Sequence, residues 1–220
     1  MAMTLKTAQE AGKVSDRNSK MPGSTFAISA TKCKTGGKLV DVVGSTCHRC
    51  YAVKLENLRT SVRIGWGNNY LSATKMIAEN PAKWSDAMAF QIMKSAAKSG
   101  QSYHRWFDSG DLQSVEMLRA IAMTCIKTPT VSHWLPTREA SIVKAYIKAF
   151  GALPENLIIR ASSTMIGDAP ISGHANTSTV HRKGSEPAGH ICPASHQGGN
   201  CGECRACWNK SVPNVSYPLH

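Results

Sequence analysis

Residues 103–162 read YHRWFDSGDLQSVEMLRAIAMTCIKTPTVSHWLPTREASIVKAYIKAFGALPENLIIRAS, and this stretch decides the fold. YHRWF (103–107), VSHWL (131–135) and NLIIRAS (156–162) are short, rich in aromatic and β-branched residues, and read as strands. Residues 113–127 and 139–150 between them carry apolar side chains at helical spacing; Ile121, Ala122, Cys125 and Ile126 line one face of the first. Cys125, alone on that face, is assigned to the core. Strands alternating with helices predict parallel pairing, in a sheet or a partial (β/α) barrel of TIM-barrel type. His104 and His133, inside strands, are expected to be structural. The polar segments fall at strand exits: Asp108-Ser109-Gly110-Asp111, then Pro136-Thr137-Arg138, with Arg160 near the third. Parallel folds place their active loops there.

Working outward, STFAISA (24–30) reads as a further buried strand, followed by a polar loop. A helix opens at Cys47 and Cys50, with Ala52, Leu55, Leu58 and Val62 at helical spacing. Gly65 and Gly67 are expected to interrupt it, a second helix beginning near Asn69. Asn80-Pro81 marks a boundary, and 82–98 form a helix burying Trp84, Ala87, Met88, Ile92 and Met93. Three regions follow: a flexible polar lead-in (1–22), an α/β partial barrel (23–166), and an irregular cysteine-rich tail (167–220) packed on the barrel.

Seven of the eight cysteines are set apart from the core. Cys192, Cys201, Cys204 and Cys207 lie in CPASHQGGNCGECRACW, the last three at C-x2-C-x2-C spacing, which lets the sulfurs converge from one tight loop. Thiolates are soft ligands that select iron–sulfur clusters, zinc or Cu(I). Gly198, Gly199 and Gly202 allow close folding around such a centre. Cys33, Cys47 and Cys50 follow the first strand. Three thiolates there would hold a 4Fe-4S cluster and leave one iron open, the arrangement of a reactive site; His48 or a carboxylate as fourth ligand would close it. His190 and His196 are reserve ligands beside Cys192. The cysteines form either separate groups of three and four or mixed sites, with one cluster or two. The acids Asp108 and Asp111 suit an ammonium, hydroxyl or cation, and Asp111 also suits a helix start. Arg138 and Arg160 suit a carboxylate or phosphate, or a salt bridge to those acids.

The formal charge is +12, pointing to nucleic acid or an anionic substrate, although no run of five Lys/Arg occurs. No apolar run is long enough to span a membrane and the first twenty residues lack a signal-peptide core. The expected compartment is a cytoplasm, where thiols stay reduced and eight cysteines mean metal rather than disulfides.

The order C…CxxCYA, RWFDSGD, PTR, then CP…CxxCxxCW resembles the phage "gene product 88" family over Cys33 to Trp208. The resemblance implies a bacteriophage iron–sulfur protein in the host cytoplasm, similar in layout to radical S-adenosylmethionine (SAM) enzymes. Cys33, Cys47 and Cys50 would then occupy the SAM-cluster loop, and Ser109, Gly110 and Asp111 the turn that binds the SAM amino group. Asp108, Asp111, Arg138 and Arg160 would orient a small or macromolecular substrate, and the tail cysteines would hold an auxiliary cluster. The loop spacing here is C-x13-C-x2-C rather than C-x3-C-x2-C, and no Gly-Gly-Glu is present. The rival readings are a non-catalytic redox or sensor protein and a zinc module that binds nucleic acid.

Overall fold

A computed structural model describes residues 2–16 and 20–219. Its centre is a seven-stranded sheet: β1 (Ser24–Phe26), β2 (Tyr103–Trp106), β3 (Ser132–Thr137), β4 (Leu157–Ser162), β5 (Thr177–His181), β6 (His190–Ile191) and β7 (Asn214–Pro218), in the order β1-β2-β3-β4-β5-β7-β6. Every neighbouring pair is parallel. The expected parallel pairing is present. The sheet is open, with β1 and β6 at its edges, rather than closed into a barrel.

The helices are α1 (Leu5–Ala8), α2 (Thr35–Leu39), α3 (Tyr51–Leu58), α4 (Thr60–Glu79), α5 (Pro81–Ser99), α6 (Val115–Lys127) and α7 (Ala140–Phe150). Side chains alternate across each strand, so one face of the sheet carries Phe26, Trp106, Leu135, Leu157 and Ile159. Helices α4 to α7 pack on this face through Ala73, Trp84, Met88, Leu118, Ile121, Cys125 and Val143. The opposite face presents Trp134 and Val215, and residues 206–208 cover it, with Trp134 and Trp208 edge to face at 5.1 Å. Strands β1 to β5 run in chain order without a reversal, and right-handed crossovers then place successive helices on the same side. The other side is left to the chain's last quarter.

Cys125 is fully buried among the helices. His104 and His133 are fully buried too, the first bonded through Nδ1 to Ser24 Oγ (2.8 Å), the second through Nε2 to Thr128 Oγ1 (2.8 Å). Burial holds both imidazoles below the usual histidine range, His133 at about 3.

The described part of residues 1–22 is packed rather than a free lead-in. Ala8 and Ala11 are fully buried. The Gln91 amide donates to the carbonyls of Ala8 and Gly12 (3.0 Å each), and Asn69 exchanges bonds with the Lys13 backbone (2.8 and 3.1 Å). Capture by distant amides leaves no local sequence signal. Gly65 and Gly67 do not interrupt α4, because added side chains there would meet nothing within 4 Å and packing of the other face carries the helix through.

The tail is less irregular than expected, since β5, β6 and β7 lie within it. These strands are joined by polar side chains: Ser162 to Ser178 (2.9 Å), Thr177 to Asn214 (2.8 Å), Thr179 to Ser216 (3.1 Å) and His181 to Ser216 (2.7 Å). Buried hydroxyls that satisfy one another can line a sheet interior without an apolar alternation. No helix is long and apolar enough to cross a membrane among the described residues.

Candidate functional site

The carboxyl ends of the first four strands meet beneath one loop, residues 30–50. Beyond β1, Ile28 N–H donates to Ser109 C=O (3.1 Å), and Phe107 N–H donates to Phe26 C=O (2.7 Å). Gly110 turns there with φ +84, where an added Cβ would lie 2.3 Å from the Ile28 side chain, so only glycine fits. The Asp111 carboxylate, almost fully buried, accepts from Leu112 N–H (2.8 Å), Arg138 N–H (2.9 Å) and the Thr137 hydroxyl. It ties the exit of β2 to that of β3. It does not cap α6, whose cap is Ser114. Burial raises its pKa to about 6 against the pull of those bonds.

Cys33, Cys47 and Cys50 gather above these exits. Cys33 and Cys47 flank Gly36: a Cβ there would stand 3.2 Å from Cys47 Sγ and 3.3 Å from Cys33 Cβ. Burial pushes the Cys33 thiol up to about 12, and Asp111, Cys50 and Cys47 add to the shift while Arg138 opposes it. Burial likewise raises Cys47, with Arg138 the main opposing charge. Arg138 donates from Nε and Nη2 to Thr46 Oγ1 (3.1 and 2.9 Å), which places a guanidinium beside the residue preceding Cys47.

Two carboxylates that sequence reasoning passed over hold this loop. Glu56, buried on α3, accepts from Ser29 Oγ (2.5 Å) and Ala30 N–H (2.9 Å), just ahead of Cys33. Glu139, buried at the start of α7, accepts from Thr35 N–H (2.8 Å), just behind it. A carboxylate four residues after Ala52, on the buried face of α3, was the available signal. Beside the loop, the Asp108 Oδ1 and Ser109 Oγ atoms are buried without a partner, as is His48 Nδ1.

The tail thiols form a separate group on the helix-free face. Cys192 follows β6 directly, its N–H donating to Ser216 C=O (2.9 Å). Cys207 Sγ stands 3.2 Å from the Tyr217 hydroxyl, and Cys204 Sγ 3.4 Å from His190 Nε2. His196 is exposed. Burial raises Cys192 and Cys201, each of which also feels the charge of Cys204, and lifts Cys207 to about 12. The charges of Cys47 and Cys50 act on Cys33, and those of Cys192 and Cys204 on Cys201. All eight are free thiols.

Arg160 is the largest departure from expectation. It is fully buried in β4, and its guanidinium donates to five backbone carbonyls: Cys207 (3.1 Å) from Nε, Thr177 (3.2 Å) and Val212 (3.0 Å) from Nη1, Ala206 (2.7 Å) and Asn209 (3.0 Å) from Nη2. A guanidinium has five N–H groups, so none is left for a substrate or for Asp108 or Asp111. Arg160 anchors the segment that carries Cys207. Arg105, one strand position before Trp106, lies between the two groups: its guanidinium sits 4.5 Å over the Trp134 ring and its charge acts on Tyr51, Cys201 and Cys207.

Among the described residues no group of three or more His, Cys, Asp or Glu side chains is arranged to hold a metal ion. The thiols are neighbours, but they are not closed around a centre. The sequence profile of the Gene product 88 family matches residues 2–210, nearly the whole chain. The chain belongs to that family of phage proteins. No curated protein and no solved structure matches it.

Proposed function

We propose that this member of the Gene product 88 family is an iron–sulfur protein of the host cytoplasm. In this reading Cys192, Cys201, Cys204 and Cys207 hold a 4Fe-4S cluster. Cys33, Cys47 and Cys50 hold a second one and leave a position for a small substrate or SAM, and the open sheet serves as a partial (β/α) barrel. The observation that carries the reading is the partition of the cysteines. Seven lie in two groups outside the helical core, with no disulfide, while the eighth is core packing.

The donor set fits. Both groups are thiols, the ligands that iron–sulfur clusters take. The front loop has at Gly36 a position where a side chain would crowd Cys33 and Cys47. The tail turns through Gly198, Gly199 and Gly202, all with positive φ, which leaves its backbone free to close around a centre. Burial keeps several of these thiols protonated at neutral pH, so loading releases protons and draws the sulfurs inward.

When bound, such clusters supply one-electron chemistry. This chain's residues supply the setting. Asp108 Oδ1 and Ser109 Oγ are the unpartnered polar atoms beside the front group and suit the ammonium of an amino acid-like ligand. Arg138 offsets part of the negative charge of Asp111 at the front group. Asp111 and Arg160 position and do not bind.

The test is iron and acid-labile sulfide analysis with a visible spectrum, on protein purified without oxygen. About eight irons per chain are expected, about four for each cubane. Cys47→Ala with Cys50→Ala should remove half, and Cys201→Ala with Cys204→Ala the other half. Calorimetry should register SAM only while the front group is intact. Zinc with no iron, in a colourless protein, would overturn the reading.

A further inference from the structure

We propose that the surface formed by residues 32–63, which runs over the front thiol group, docks the sugar-phosphate backbone of a nucleic acid. The segment contains seven Lys/Arg and two acids. Of the acids, Glu56 is buried and bonded to Ser29 and Ala30, which leaves Asp41 as the exposed carboxylate. Of the cations, Lys34 turns its ammonium onto the Gln113 carbonyl. Lys32, Lys38, Arg49, Lys54, Arg59 and Arg63 are exposed. The three ion pairs of the described residues all lie elsewhere, at Lys98–Asp16, Lys127–Asp86 and Lys210–Glu155. This one face therefore concentrates positive charge that the protein does not neutralise for itself.

The cations come from different elements that the fold holds together. Lys38 is on α2, Lys54 on α3, Arg63 on α4, and Arg49 lies in the loop whose N–H donates to Val40 C=O (3.2 Å). A surface assembled this way suits a chain of phosphates better than one small anion. Tyr51 projects among them, 67 % exposed, as a platform on which a base can stack. Its hydroxyl donates to Asp108 C=O (3.1 Å), at the turn beside the thiols. The bound strand would then pass directly over the front site. An acidic bilayer would be met by cations on one helix face, and these are spread over two helices, a loop and the start of a third.

The test is fluorescence anisotropy with a short labelled single strand and the matching duplex, across a salt series, on metal-loaded and metal-free protein. Log affinity should fall against log salt with a slope of roughly −0.9 for each phosphate contacted on duplex, hence about −4 or steeper. Replacing Lys38, Lys54, Arg59 and Arg63 by Glu should weaken binding at least about tenfold and flatten the slope by about three. The same four positions as Gln give a milder variant, should the Glu set fold poorly. A control with Lys75, Lys83, Lys94 and Lys148 changed to Glu carries the same net charge on the helical side and should stay within about twofold. Equal losses in control and patch variant would reduce the effect to net charge and sink the proposal. So would tighter binding to phosphatidylserine vesicles than to either nucleic acid. Binding by the metal-free protein supports this inference whatever the iron content, so its failure and that of the iron–sulfur reading are separable.

Discussion

The two cysteine groups are held by opposite chemistry. Around the front group carboxylates accept from backbone N–H groups: Glu56 from Ala30, Glu139 from Thr35, Asp111 from Leu112 and Arg138. Around the tail group one guanidinium donates to five carbonyls. The front loop is thus fixed by several independent ties to different elements, with Asp108 Oδ1 and Ser109 Oγ left unpartnered beside it. The tail is held from below by Arg160, by Trp208 Nε1 donating to His104 C=O (2.9 Å) and by the Asn176 amide donating to the Lys210 and Val212 carbonyls (2.9 Å each), and its thiols face a tyrosine and a histidine of its own strands. A region with spare polar atoms is arranged to take a ligand. Under the proposed function, reactivity belongs to the front group and support to the tail.

The largest expected effect breaks the contrast at the tail. Arg160→Met keeps most of the volume but removes a charged donor from five carbonyls, of which Ala206, Asn209 and Val212 keep a bond from Asn209 N–H, Val212 N–H and the Asn176 amide. Leaving buried groups unsatisfied costs about 1–3 kcal/mol each, partly relieved by relaxation and water, so a loss of at least about 3 kcal/mol is expected. Chemical denaturation measures it. Tail thiols should become reactive toward a labelling reagent while Cys33, Cys47 and Cys50 keep their rates. A loss under about 1 kcal/mol would mean that the tail does not depend on this anchor.

Glu56→Gln probes the front in the same terms. The substituted amide would retain an acceptor for one of the two donors and lose the charge, which should cost about 2 kcal/mol. Labelling should now rise at Cys33 and leave Cys207 unchanged. A smaller loss than for Arg160→Met follows from the other ties, through Glu139 and Asp111. If both variants exposed all seven thiols equally, the two groups would be one cooperative unit and the contrast would fail.

Much of this was legible in the sequence, for identifiable reasons. Strands β2, β3 and β4 and helices α5, α6 and α7 carry periodic apolar faces and end at polar exits, so their pattern is local. The cysteine spacings mark both thiol groups. Strands β5 and β7 were missed because their interior is lined by Thr179, Asn214 and Ser216, which satisfy one another, and by Ser178, bonded to Ser162, and these mimic a loop composition. Arg160 was misplaced because β4 is buried on both faces. A strand exit and a covered interior look the same in LIIRAS, and only the return of the tail over that face distinguishes them. The carboxylate anchors escaped notice for another reason: Glu56 and Glu139 belong to helices or their starts, where a glutamate ordinarily reads as a solvated charge.

The smallest of the effects sharpens the contrast by acting on what the two groups share. His104 lies in β2 and His133 in β3, side by side with ring centroids 5.5 Å apart, on the helical face of the strands that support both groups. His133 titrates at about 3 in the folded protein against an ordinary value of 6.5, because burial penalises the charged ring. His104 is lowered in the same direction, by burial first and by His133 second. Between these limits the unfolded chain binds protons that the folded one does not. The imidazoles therefore leave stability unaffected above about pH 7 and lower it as pH drops below about 6.5, by up to about 1.4 kcal/mol per unit each. Asp111, raised to about 6, takes up a proton in the folded state over the same range and offsets part of that loss. One unit of acid, from about pH 6.5 to 5.5, should show this as a lower denaturation midpoint, and His133→Gln should reduce the slope by about one proton. Because the protonation acts beneath the sheet, proteolysis at about pH 5.5 should release front and tail together, unlike either anchor variant. An unchanged slope in His133→Gln would mean that water reaches that ring, and selective release of the tail would place its weak point in the sheet rather than at Arg160.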